Sequence, residues 1–233
     1  MTRRQGHPLA RIIRELRSPA YYLGLALVAA TVAFTFVAPQ ILRFFQAHLG
    51  QELAFFTVSD PFLAQVRLAV GLALFSLVPF FTYWFWKAMA GPFGLTRTTR
   101  AWFVGFCCLL FYGGTMFCFF VTLPLGVNFL LGYQSEELQA VIAVGKFVSF
   151  VTVFVLAFGF IAMLPIFMIF GAKTRLCSRR KFESGRGYAV LIITIIAALI
   201  TPTPDVVNLS FMAGPMYLLY ESGIIIIKLL KIE

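Results

Sequence analysis

Residues 201–221 read Thr201-Pro202-Thr203-Pro204-Asp205, then Val-Val-Asn-Leu-Ser-Phe-Met-Ala-Gly-Pro215-Met-Tyr-Leu-Leu-Tyr-Glu221. A proline turn ending in an aspartate joins two strongly apolar runs, and a glutamate returns inside the second. An ionised side chain at mid-membrane costs about 3 kcal/mol even on the mildest scales, so such residues are rare in spanning helices. The turn predicts a corner between two membrane helices. Asp205 suits the cap of the second, where its carboxylate can accept the free N–H groups of the first turn.

The rest of the chain agrees with a membrane setting. Of 233 residues, 61% are hydrophobic and 12% charged, and the mean hydropathy is +0.91. Several runs approach the ~20 apolar residues that cross a hydrocarbon layer about 30 Å thick. Their length and continuity exclude a transmembrane barrel, whose strands alternate in short segments. The expected class is an all-α polytopic membrane protein forming a single domain over residues 1–233.

Residues 1–18 place Leu9, Ile12, Ile13 and Leu16 on one helical face and Arg11, Arg14 and Glu15 on another. This predicts a short amphipathic surface helix ending near Ser18-Pro19. Six spans are expected, at about 20–38, 62–87, 101–123, 147–171, 188–200 and 206–227. Pro39 ends the first and Pro124 the third, while Pro79, Pro165 and Pro215 are kink positions inside others. Between the first two spans, Ile41 to Phe45 and Leu53 to Val58 are too short to cross and are expected as interfacial helices. The fifth span is notably short, at about 20 Å of helix.

Orientation follows from the cations. With both termini inside, sixteen of the nineteen Lys and Arg residues fall on the inner side, and only Arg43, Arg67 and Lys146 lie on or near the outer side. The net charge of +10 is thus spent at helix ends, which argues against nucleic acid as a partner. Cys107, Cys108 and Cys118 share one apolar run, Cys177 lies in a basic loop, and His7 and His48 have no ligand-like spacing to them. No disulfide framework, metal site or cofactor is expected. Nor is there a nucleophile with a base, a paired acid or a phosphate-cradling loop, so a non-enzymatic role is expected. Gly113-Gly114 reads as a place for close helix approach.

Several stretches in order resemble TatC, the six-span core subunit of the twin-arginine protein translocase. They are Glu15-Leu16-Arg17 near the amino terminus; Pro79 with Tyr83 and Trp86; Leu123-Pro124-Leu125 with Phe129; Ser149-Phe150-Val151, Phe158-Gly159 and Pro165; and Asp205, Pro215 and Glu221. The resemblance implies six spans with the last two short. It also implies binding of twin-arginine signal peptides through Glu15, Leu16 and Arg17, single-span Tat subunits as partners, and transport of folded proteins driven by the proton gradient.

Two acids of the family pattern are replaced. Thr98, between Arg97 and Arg100, stands where the family has a glutamate in the loop after span two. Met163 stands where it has one between Phe-Gly and Pro in span four. The turn reads Pro202-Thr203-Pro204-Asp205 in place of adjacent prolines. Glu15 is then the one retained acid for an arginine pair, although at four residues' spacing it can equally form a helix ion pair with Arg11. Glu183 is an available substitute for the lost acid. Glu221 is either a functional intramembrane acid or an interfacial one with its head in water. These losses motivate an alternative: a structural TatC-derived subunit, unable to take substrate, held among neighbouring subunits of a larger membrane complex, with a respiratory complex as the named candidate. The phenylalanine count of 28 and the lost acids favour a mitochondrial inner membrane over a bacterial inner membrane or a thylakoid.

Overall fold

The computed structural model describes residues 8–49, 53–54, 58–132, 142–201 and 206–231, with side chains at 20–45, 58–129, 132, 143–201, 206–207 and 209–231. Pro204 and Asp205, and with them the proline turn, lie outside the described residues. So do the side chains of Glu15, Leu16 and Arg17.

The chain is a bundle of helices: α1 Pro8–Thr35, α2 Ala38–Leu49, α3 Asp60–Phe93, α4 Arg97–Phe117, α5 Leu123–Leu131, α6 Val144–Ala162, α7 Leu164–Lys173, α8 Arg179–Ser184, α9 Arg186–Ile200 and α10 Val206–Leu229. Four segments are long and apolar enough to cross a membrane: α3, α4 continued into α5, α6 with α7, and α10 from Leu209. The apolar part of α1 and the start of α2 form a further pair bent by 67°.

Several expected boundaries move. The amphipathic segment does not end at Ser18-Pro19, because α1 runs through it into the first apolar stretch. That helix stops at Thr35, and Pro39 instead occupies the first turn of α2, where its missing N–H has no helical partner to lose. Ile41 to Phe45 lies in α2 as a helix. Leu53-Ala54, by contrast, is extended and pairs in parallel with Ile142-Ala143. Of the last two expected spans, only the fifth is short: α9 has 15 residues, about 22 Å, whereas α10 has 24.

The prolines show how the bundle keeps its backbone satisfied. Pro79 cannot donate to the carbonyl of Phe75. The Tyr112 hydroxyl of α4 donates to that carbonyl instead, at 3.2 Å. Pro124 does not close the third span. The backbone passes through a π-helical turn at Cys118–Thr122, in which the Leu123 N–H donates to the Cys118 carbonyl, and continues into α5. A π turn shifts the hydrogen-bond register by one residue, so the ladder meets Pro124 already displaced. Pro165 is the second residue of α7, two residues after the chain breaks at Met163 (φ −75°, ψ −10°).

Close approach of helices depends on small residues. A Cβ on Gly114 would strike the Cβ of Ala162, and one on Gly159 would strike Thr115 and Phe111, so α4 and α6 cross nearly backbone to backbone. Gly223 does the same for α10 against Met168 and Pro165 of α7. In a bilayer such packing is a main source of helix association, since lipid tails are as apolar as leucine.

Candidate functional site

The end of the bundle that gathers the carboxyl ends of α3, α7 and α10 with the amino ends of α4 and α9 is strongly basic. It carries Lys87, Arg97, Arg100, Lys173, Arg179, Arg180, Lys181, Arg186 and Lys228. The carboxyl end of α3 is finished by Gly94, whose φ of +61° is strained for any side chain. Thr96 then caps α4 by accepting from the Thr99 N–H at 3.2 Å. Thr98 follows, exposed to the surroundings in the first turn. A carboxylate there would be favoured by the helix N-terminus; a threonine adds no charge to offset Arg97 and Arg100. The Arg100 guanidinium lies 5.7 Å from the centre of the Tyr83 ring and the Lys87 ammonium 4.2 Å from that of Trp84.

Trp86 sits beneath this surface, fully buried. It stacks on Phe103 at 4.6 Å, meets Phe170 edge-on at 5.0 Å, and donates its indole N–H to the Cys107 sulfur at 3.3 Å. Met163 belongs to the same buried cluster, with Val78, Phe103 and Phe111, and is 2% exposed. The position that resembles the family's span-four acid is therefore sealed among aromatic rings in this chain.

Glu221 has a different setting. Its carboxylate takes a two-pronged contact from Arg186, with Nε at 2.8 Å and Nη2 at 3.0 Å, and accepts the Tyr217 hydroxyl at 2.7 Å. The neighbouring Tyr220 hydroxyl donates to the Phe182 carbonyl at 2.7 Å. Together these tie α10 to α8 and the start of α9. Paired forks of this kind give geometric definition as well as attraction. Of the two readings of Glu221, the geometry accords with the acid at the helix end, anchored to a cation. Glu183 is paired with Arg179 at 2.7 Å, four residues before it in the same short helix, a part-exposed contact of the kind that contributes about 0.2–0.5 kcal/mol.

Along α4, α7 and α10 runs an apolar groove. Its deeper part, about 720 Å³, lies between Trp102, Ile169 and Ile226, with Thr99 and Lys173 at its basic end. It shares Leu109, Leu110 and Ser222 with a second hollow of about 460 Å³ beside Gly113, Gly114 and Pro215. Gly114 is pressed against α6, while Gly113 faces open space; of the pair, only Gly114 serves close helix approach. The groove is lined almost wholly by apolar side chains. It has no acid–base pair, and no cluster of metal-ligating side chains occurs among the described residues.

Sequence reasoning missed the partners of Glu221. Arg186 is 35 residues away, and the only signal was that an acid in an apolar run needs a cation somewhere. It also missed Arg67, whose Nη1 in α3 donates to the Gly145 carbonyl at 3.3 Å and the Ser149 hydroxyl at 3.0 Å in α6.

Long apolar helices packed through small residues, an acid anchored to a cation and basic helix ends define a polytopic integral membrane protein. Its relatives specify the family. The profile of the family described as Sec-independent protein translocase protein (TatC) matches residues 11–215. The TatC of Carboxydothermus hydrogenoformans is 31% identical over 186 residues, 78% of this chain and 76% of that protein. The TatC of Aquifex aeolicus is 30% identical over 235 residues, 95% of each chain. For others the match spans less of the relative, such as 52% of the Halothiobacillus neapolitanus TatC, which is 32% identical over 83% of this chain. A crystal structure described as the twin arginine translocase receptor TatC superposes with a TM-score of 0.84 at 26% identity, covering 92% of this chain and 98% of that one. The chain belongs to the TatC family.

Proposed function

We propose that this protein is the TatC-type subunit of a twin-arginine translocase, which binds signal peptides carrying an arginine pair and helps move folded proteins across a membrane with the energy of the proton gradient. The observation that carries this reading is the family match over residues 11–215 together with the same fold over nearly the whole chain. Six passes with both termini on the inner side are part of the proposal, supported by the position of sixteen of the nineteen cations. Glu15 is then the acid that meets the arginine pair, a role that rests on its place in the Glu15-Leu16-Arg17 stretch that resembles the family's. Single-span Tat subunits are the proposed partners. The membrane is proposed to be a bacterial inner membrane, since the relatives named above are bacterial; the mitochondrial preference drawn from composition finds no support in them.

The replaced acids at Thr98 and Met163 motivated a structural subunit without substrate. The translocase relatives do not favour that alternative. Photo-crosslinking of a twin-arginine precursor to the membrane-embedded protein tests the proposal. Contact near Glu15 that is lost in Glu15→Ala is expected. No contact in the presence of the Tat partners and an energised membrane sinks it, as does co-purification with respiratory subunits in place of Tat partners.

A further inference from the structure

At the basic end of the bundle three helices finish in the same backbone conformation but with different residues. After α3 the left-handed position is taken by Gly94 (φ +61°). After α7 it is taken by Arg175 (φ +59°), and after α10 by Lys231 (φ +50°). No other non-glycine residue among those described has a positive φ. The Arg175 N–H donates to the Ala172 carbonyl, the Cys177 N–H to that of Gly171 and the Lys231 N–H to that of Lys228, all at 3.1 Å. A side chain in this conformation crowds the following carbonyl, a penalty of about tenfold against glycine. Attraction between a cation and the carboxyl end of its helix returns only about two- to fivefold at an exposed position. Lys173 and Lys228, in ordinary helical positions, already supply it. The strain thus holds two cations where the helices gain little from them, and strain of this kind points to use.

Their surroundings indicate the use. α7 and α10 pack side by side, with Gly223 of α10 against Met168 and Pro165 of α7, and Lys173 and Leu230 both line one groove. Arg175 and Lys231 are exposed and make no ion pair among the described residues; Glu183 and Glu221 contact Arg179 and Arg186 instead. Leucines stand beside the cations, with Leu176 60% exposed, Leu229 75% and Leu230 56%. We propose that the paired carboxyl ends of α7 and α10 bind the headgroup of an anionic phospholipid, with Arg175 and Lys231 as its cations. Position and composition both select a lipid. Each cation lies two residues beyond a segment long and apolar enough to cross the membrane, Val144–Lys173 and Leu209–Leu229, which sets it at headgroup depth. Exposed leucines among cations suit the boundary between headgroups and acyl chains, whereas a dissolved anion uses the charges alone. The site is independent of signal-peptide binding, and its failure would leave the translocase reading untouched.

Native mass spectrometry of the detergent-solubilised full chain, titrated with dioleoyl phosphatidylglycerol and separately with dioleoyl phosphatidylcholine, reads the site. The anionic lipid is expected to bind about twentyfold more tightly, a factor of about five for each cation. Arg175→Gly and Lys231→Gly should each remove one such factor. Because glycine suits these backbones, neither variant should lower the unfolding midpoint, which separates binding from a structural role. Arg175→Asn and Lys231→Asn, which also tolerate the left-handed conformation, should behave alike. Lys87→Gln takes the same charge from α3 and should change the affinity less than about twofold, since the lipid site is local. Wild-type lipid affinity in both glycine variants overturns the proposal, as does an equal loss in Lys87→Gln. An earlier midpoint in both the glycine and the asparagine variants assigns the cations to the fold and overturns it too. So does displacement of the lipid by millimolar inorganic phosphate, the mark of a free-anion site, or by polyglutamate, the mark of a surface for an acidic protein segment.

Discussion

Glu221 and Met163 sit in two contrasting seats, one charged and one apolar. The Glu221 seat has a guanidinium in two-pronged contact and a tyrosine hydroxyl. Met163, at the position that resembles the family's span-four acid, is 2% exposed in a buried apolar cluster that includes Trp86, Phe103 and Phe111. An acid within a helical membrane protein needs partners from other helices, because an uncompensated buried charge is far costlier than any single contact repays. Where the partners persist, the acid persists. Where the neighbours are aromatic and apolar, a flexible thioether fills the space.

The largest effect expected from breaking this contrast is at the apolar seat. Met163→Glu places a carboxyl group where no partner waits, and is expected to destabilise the solubilised protein by about 3 kcal/mol or more. Thermal unfolding followed by size-exclusion chromatography measures this. Wild-type stability would mean that the seat can recruit a cation or water, and the contrast would fail.

At the charged seat the effect is smaller and more specific. Arg186→Glu and Glu221→Arg should each loosen the junction of α9 and α10, and the double reversal should restore much of what either loses. A double-mutant cycle on unfolding midpoint isolates this coupling from the individual losses. Additive losses would show that the contact contributes nothing to holding the short helix.

The smallest effect on stability is expected at a third, exposed position. Thr98→Glu returns a carboxylate to the first turn of α4, where the helix terminus favours it by about 0.3–1 kcal/mol. Its value lies in recognition: crosslinking to a twin-arginine precursor should rise several-fold over wild type. A decrease would mean that the surrounding cations, and not a missing acid, set how this surface binds.

Much of the bundle was legible from residue order because its cause is local. Long apolar runs become helices wherever water is absent, since only internal hydrogen bonding satisfies their backbone. Of Pro79, Pro165 and Pro215, only Pro165 marks a break, between α6 and α7; α3 and α10 run on through the other two. Boundaries were less legible. Pro19 and Pro124 looked like stops, yet the chain continues helical through both, at Pro124 behind a π turn that displaces the ladder. Leu53-Ala54 looked helical, but pairs with Ile142-Ala143 far along the chain. Proline forbids one hydrogen bond; whether a helix then ends depends on what neighbouring elements offer.

The candidate site divides along the same line. The amino-acid sequence by itself determined that this is a helical membrane protein with basic helix ends and that Glu221 is an acid in an apolar run. Both are matters of residue identity and period, whereas the reading of Thr98 and Met163 as replaced acids came from the family resemblance. Only the tertiary structure decided that Glu221 is held by Arg186 and Tyr217, that Glu183 is engaged with Arg179, that Met163 is buried in the same apolar cluster as Trp86, and that Tyr112 serves the carbonyl freed by Pro79. A charge or an orphaned carbonyl announces in sequence that it needs a partner. Which residue answers is settled when helices distant in the chain are brought within 3 Å or so of one another.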